Sequence, residues 1–134
     1  MIQPARRPVK LIITTGEPAG IGPEVSLAAA KDFLGEQANA QITLLGDASV
    51  FKNSMDKQSQ ALDRLTIESI PLASPVVPGK LNPANARYVL NLLDRASEAC
   101  IRGDFDAMVT APVQKSVIND AGIVFTGQIG RAHV

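Results

Sequence analysis

KLIITTGEPAGIGPE, residues 10–24, decides the fold. Lys10 to Thr14 is a short run dominated by apolar, β-branched residues and reads as a buried strand. Pro23 and Glu24 then open an amphipathic stretch, Val25 to Phe33, that reads as a helix. Proline suits a first helical position, where no backbone donor is needed, and glutamate suits the positive end of the helix dipole. Between strand and helix lies a loop with three glycines, Gly16, Gly20 and Gly22. Such residues take positive φ or let a ligand approach the backbone, so this loop is a candidate site for an anion or polar substrate. Two familiar phosphate motifs do not match it. GEPAGIG lacks the terminal Lys-Ser/Thr of a P-loop, and its glycine spacing is not that of the dinucleotide fingerprint.

The remaining chain repeats the pattern. Gln41 to Leu45 reads as a second buried strand ending at Gly46-Asp47, followed by a short helix over Ala48 to Met55. Leu65 to Ile70 reads as an extended segment, and Pro71, Pro75, Pro78 and Gly79 make a connection that excludes regular helix. Asn82 or Asn85 caps the next helix, whose apolar positions Ala86, Val89, Leu90, Leu93, Ala96 and Cys100 form one buried face that Gly103 ends. Ala107 to Thr110 reads as a third buried strand, with a short helix around Ser116 to Asp120. Strands alternating with helices predict an α/β fold with a mostly parallel sheet and flanking helices.

With 134 residues, 46% of them hydrophobic, the chain can fill one modest core. Thirteen basic and thirteen acidic side chains leave a net charge of +0, with no basic block, so nucleic acid is not an expected partner. Cys100 is the single cysteine, which excludes an intrachain disulfide and a cysteine zinc cluster. It is expected to be a packed core thiol, and a reducing cytoplasm is the expected compartment. The apolar run near the N-terminus is too short for a membrane span, so a soluble protein is expected.

TAPVQK, Thr110 to Lys115, follows the third strand at the place where open α/β sheets hold ligands. Lys115 is therefore a candidate anion-binding ammonium, or else a solvated lysine at a helix start. FTG at Phe125 to Gly127 is a further glycine turn.

Taken in order, TGEPAGIGPE, PGKLNP, TAPVQK, INDAG and FTG resemble the 4-hydroxythreonine-4-phosphate dehydrogenase (PdxA) family over residues 8–127. GIGPE alone is also similar to isocitrate and isopropylmalate dehydrogenases. The resemblance implies an isopropylmalate-dehydrogenase-like fold and a homodimer with its active site in a cleft between two α/β domains. It implies dependence on NAD or NADP and on a divalent metal (zinc, magnesium or cobalt). The implied reaction oxidises the C3 hydroxyl of 4-phosphooxy-L-threonine, with decarboxylation to 3-amino-2-oxopropyl phosphate, in pyridoxal 5′-phosphate (vitamin B6) biosynthesis. The metal would act as a Lewis acid on the hydroxyl oxygen. Sister dehydrogenases of other phosphorylated hydroxy acids, and phosphoacyl or acetyl transferases of related fold, are the alternatives; a noncatalytic α/β binding module is the plainest.

On this resemblance Gly16, Glu17, Gly20 and Gly22 line the cleft. Glu17 orients substrate or a pocket lysine, and Lys115 faces the place of a substrate carboxylate or phosphate. Thr126 and Gly127 position a histidine that family members carry next. Here that position is Gln128, and the family's metal-binding histidines and phosphate-binding residues have no counterparts. Residues 1–127 are therefore expected to be the N-terminal portion of a two-domain dehydrogenase, inactive and prone to aggregate by itself. Residues 128–134 are expected to be a non-native tail: IGRAHV, which holds His133, equals the translation of a common sequencing-library adapter, and Gln128 would be the fused codon.

Overall fold

The computed structural model describes residues 7–51 and 63–125. Its elements are β1 (Val9–Thr14), α1 (Gly22–Glu36), β2 (Ala40–Gly46), a 3₁₀ turn (Ala48–Phe51), β3 (Leu65–Ser69), a second 3₁₀ turn (Pro83–Asn85), α2 (Ala86–Ile101), β4 (Ala107–Thr110) and α3 (Lys115–Asp120). The four strands among the described residues are all parallel, in the order β3-β2-β1-β4. None of the described helices is long and apolar enough to cross a membrane.

Strand alternation divides the core into two layers. Ile13, Ile42 and Leu44 point to one face, where they meet Leu27, Ala30 and Leu34 of α1 together with Phe51. Ile12 and Leu45 point to the other, against Tyr88, Val89, Leu92, Leu93 and Ala96 of α2. This is the period-two side-chain pattern expected of strands covered on both faces. The expected α/β class and parallel sheet are thus observed, with helices on both sides.

Local signals place most elements well. Helix α1 begins at Gly22, with proline in its first turn, and runs to Glu36, longer at both ends than Val25 to Phe33. Of the expected helix over Ala48 to Met55 only the turn Ala48–Phe51 is described; positions 52–55 lie outside the described residues. Gly103 has φ of +82° and follows the last turn of α2, as a left-handed stop should. Asn82 caps the 3₁₀ turn by accepting from the Ala84 N–H at 3.0 Å. Asn85 has another task. Its Oδ1 accepts from the Ser74 N–H and its Nδ2 donates to the Ser74 carbonyl, fastening the proline-rich connection to α2. Cys100 is half-buried against the α2 cluster, and burial pushes its thiol up, as the proximity of Asp106 also does.

One expectation is corrected. The sequence leads one to expect a buried strand over Ala107 to Thr110, but among the described residues β4 pairs only with β1, at the sheet edge, and Val109 is 47% exposed. Its four residues are as apolar as a central strand requires. Composition reports that a strand forms but not how many neighbours it has.

Helix α1 carries no basic residue in its last turn. Arg64, in the turn entering β3, supplies the charge from a distance. Its guanidinium donates to the carbonyls of Leu34 and Gln37, each at 2.6 Å, and of Ala40 at 3.1 Å. The Leu34 and Gln37 oxygens are orphan acceptors at the negative end of the helix, and Ala40 opens β2. Arg64→Ala is expected to destabilise the fold by about 1–2 kcal/mol, read as a lower urea midpoint with an unchanged slope.

Candidate functional site

The order β3-β2-β1-β4 makes the gap between β1 and β4 the switch point of the sheet. Open α/β sheets bind ligands there, outside the carboxyl ends of the strands. Both glycine- and proline-marked loops arrive at that place, one from Thr14 and the other from Thr110.

The two loops are in contact. Gly16 has φ of +73°, and a Cβ built on it would stand 2.2 Å from the Pro112 carbonyl oxygen. The Glu17 N–H donates to the same oxygen at 3.1 Å. Gly22 is equally constrained, since its Cβ would lie 2.1 Å from the Thr15 carbonyl oxygen. Gly20 differs. It is exposed, and a Cβ there would meet nothing closer than 3.5 Å. Two glycines therefore serve close packing of the loop, and only Gly20 faces open space. The N–H groups of Thr15, Glu17, Ala19 and Gly20 all donate to protein acceptors, so the loop's amides largely turn inward.

Glu17 is 5% exposed, and its Oε1 accepts from the Ala19 N–H at 3.1 Å. Burial pushes its carboxyl above the ordinary value of 4.5, with the Ala19 hydrogen bond opposing. Thr14 Oγ1 is fully buried with no hydrogen-bond partner among the described residues. Lys115 begins α3, is exposed, and makes no ion pair with another described residue; it is not joined to Glu17. Thr126, Gly127, Gln128 and His133 lie outside the described residues.

Across β1 from β4, the end of β2 carries a second polar cluster that the sequence reading missed. The Asp47 N–H donates to the Tyr88 hydroxyl at 2.8 Å. The Asp47 carboxylate accepts from the N–H groups of Ser49 and Leu72. Burial pushes Asp47 up, but these hydrogen bonds outweigh it and leave the carboxyl below its usual value. Gly46-Asp47 after an apolar run was the available signal; Tyr88 had none, because a tyrosine on a helix face looks like core.

Between the glycine loop and this cluster runs a half-open groove of about 790 Å³. Pro18, Ile21, Leu72 and Pro75 give it apolar walls, and Glu24 and Ser49 are its polar lining. Among the described residues no three His, Cys, Asp or Glu side chains are grouped to hold a metal.

The sheet order and the two touching loops at its switch point define a doubly wound α/β unit. Residues 23–131 match the family model "Pyridoxal phosphate biosynthetic protein PdxA", and the chain belongs to that family. A 4-hydroxythreonine-4-phosphate dehydrogenase from Burkholderia vietnamiensis is 45% identical over 124 residues, covering 89% of this chain and 38% of the relative. The chain thus spans about two fifths of such a relative's length. A crystal structure of the enzyme of the same name from Klebsiella pneumoniae superposes with a TM-score of 0.74 at 22% identity, over 93% of this chain and 44% of that one. A terephthalate 1,2-cis-dihydrodiol dehydrogenase from Burkholderia xenovorans gives 0.70 at 24%, over 94% and 41%. Both structural likenesses concern the fold.

Two outcomes test the site's construction. Gly16→Ala forces a methyl into the Pro112 carbonyl at a positive φ and should cost about 2–3 kcal/mol, whereas Gly20→Ala should lie within about 0.5 kcal/mol of wild type in the same denaturation experiment. For Glu17, a raised folded-state value means that its proton-linked stability is fully present below 4.5 and is lost as pH rises through the folded value. Glu17→Gln cannot ionise, so its melting temperature relative to wild type should rise between about pH 4 and about pH 7.

Proposed function

We propose that this chain forms an N-terminal α/β portion of an NAD(P)-dependent dehydrogenase of pyridoxal 5′-phosphate biosynthesis that oxidises 4-phosphooxy-L-threonine. The observation that carries this reading is the family match over residues 23–131, joined to 45% identity with a relative bearing that activity in its name. In the reaction, the C3–H hydride and the C3 hydroxyl proton leave the substrate, and the resulting β-keto acid loses CO2 to give 3-amino-2-oxopropyl phosphate. A bound nicotinamide supplies the hydride acceptor.

The groove fits one part of such a cofactor and not another. Flat walls from Pro18, Ile21, Leu72 and Pro75 suit a ring, and Glu24 and Ser49 can accept hydrogen bonds from ribose hydroxyls. A pyrophosphate placed there would meet the Glu24 carboxylate, and the N–H groups of Thr15, Glu17, Ala19 and Gly20 are already engaged within the protein. The chain's own residues would hold the ring against the end of β1 and exclude water from one side of it. Glu17, buried, with burial raising its carboxyl, would orient substrate or a pocket lysine. Lys115 would meet a substrate carboxylate or phosphate once the rest of a homodimeric protein closes the cleft. A divalent metal does not fit the described residues, which offer no ligand cluster, so no step here runs through one.

The test is the full-length protein assayed for NADH or NADPH formation with 4-phosphooxy-L-threonine, beside other phosphorylated hydroxy acids. Turnover of the first substrate supports the reading, and exclusive turnover of another replaces the substrate. Ile21→Asp should raise KM for the dinucleotide about tenfold or more, with KM for the phosphorylated substrate within about twofold. A change confined to the phosphorylated substrate would remove the groove from the cofactor's path.

A further inference from the structure

The stretch PGKLNP, residues 78–83, closes a connection between β3 and α2 whose residues 70–82 contain no helix and no strand pairing beyond one bridge between Val77 and Lys80. Such a segment has to be held from outside, and Pro71, Pro75 and Pro78 have no N–H to give. The Leu72 N–H donates to the Asp47 carboxylate at 2.8 Å. The Gly79 N–H donates to the Ala19 carbonyl oxygen at 2.8 Å, which ties the far end of the segment to the loop after β1. Pro78 and Gly79, the latter at φ of +76°, are the central residues of a turn closed by the Lys80 N–H on the Val77 carbonyl at 3.0 Å. Proline followed by a positive-φ glycine is the pair that a type II turn favours.

Between these ties lies Ser74, and Asn85 holds it by both backbone groups. Asn85 Oδ1 accepts from the Ser74 N–H at 2.9 Å, and Asn85 Nδ2 donates to the Ser74 carbonyl at 3.2 Å. Asn82 adds a bond from its Nδ2 to Ser74 Oγ at 3.1 Å. A side-chain amide carries donor and acceptor in one plane, so Asn85 pairs with Ser74 much as a neighbouring strand residue would. Asn85 is 3% exposed and sits where the second 3₁₀ turn runs into α2, whose Ala86, Tyr88 and Val89 are packed in the core. The anchor is therefore the rigid partner and the proline segment the held one.

That segment is a wall of the groove: Leu72, Pro75, Val76, Pro78 and Gly79 all line it. The loop after β1, which supplies Pro18 and Ile21, is fixed by the close contacts of Gly16 and Gly22. The proline wall is not part of the sheet and depends on its ties. We infer that Asn85 is a positioning residue: by binding both backbone groups of Ser74 it sets this wall at the distance from the loop after β1 that receives a ring of the dinucleotide. This rests on the reading of that groove as the cofactor-facing side of a dehydrogenase. The chemistry required is one buried amide that gives and accepts at once, which alanine lacks and aspartate supplies by half.

The test uses the full-length protein. Asn85→Ala should raise KM for the dinucleotide about tenfold, with kcat and KM for the phosphorylated substrate within about twofold of wild type. A residue that served stability alone would lower the melting temperature and leave the dinucleotide KM in place. Independently of activity, amide exchange at Gly79 should quicken in Asn85→Ala. The Gly79 N–H is bonded to Ala19, so its exchange reports the wall beyond Ser74. A dinucleotide KM within about twofold of wild type, a loss carried by kcat, or unchanged exchange at Gly79 would overturn the inference. Should Asn85→Ala fail to fold, Asn85→Asp, which keeps the acceptor for the Ser74 N–H but sets an oxygen against the Ser74 carbonyl, decides between the same outcomes. Should the wild-type protein show no dehydrogenase activity, the functional reading fails separately, and exchange at Gly79 decides the positioning role: faster supports it, unchanged overturns it.

Discussion

The contact of Gly16 with the Pro112 carbonyl governs this end of the molecule. It is a steric constraint before it is an attraction, because the space left for a Cβ is 2.2 Å. Once the backbone passes there, the Glu17 N–H finds the same oxygen, and the side chain of Glu17 has nowhere to go but inward. Gly22 repeats the device one turn later against Thr15, which delivers the start of α1 to the sheet. The loop after β1 is therefore pinned at both ends and turned upon itself. What it offers outward is Gly20 and Ile21, not a row of amides.

Two carboxyl groups flank β1 at this edge, and their surroundings drive them apart. Glu17 is enclosed with one backbone donor, which is too little to hold a charge comfortably. Asp47 receives N–H groups at both oxygens and stays ionised. Opposed shifts of this kind separate a group that can keep or pass a proton from one that acts as fixed charge. Here the fixed charge is structural: it folds the 3₁₀ turn and the segment after β3 around the end of β2. The acid whose value burial raises is the one enclosed at the switch point.

Much of the fold was legible because its signals are local. A β-branched run, a glycine loop and a proline at the helix start gave β1 and α1; Gly103 gave the end of α2. The position of β4 was not legible, since the apolar content of Ala107–Thr110 is the same whether one neighbour or two lie beside it. Asn85 looked like a cap and instead binds Ser74, and Arg64 gave no sign that it would close a helix ending at Glu36. Each of these is decided by a partner distant in sequence. The candidate site shows the same division. Three glycines could be seen, but not that Gly16 and Gly22 serve packing while Gly20 lies open. Glu17 was readable as a loop acid; the bond from the Asp47 N–H to the Tyr88 hydroxyl was not, for no spacing rule connects the two.

The central place of β1 also orders events in time. Its pairing with β2 joins segments separated by one helix, but its pairing with β4 joins Leu11 to Ala107, almost from one end of the described chain to the other. A contact so distant in sequence bears a large loop-closure cost before it returns any energy, and such contacts form late. During synthesis β1 must wait with one edge bare while α2 emerges and folds over the opposite face. Until β4 arrives, Glu17 has no Pro112 carbonyl to turn against. The loop after β1 thus takes its shape only once β4 is in place, although it is made well before β4.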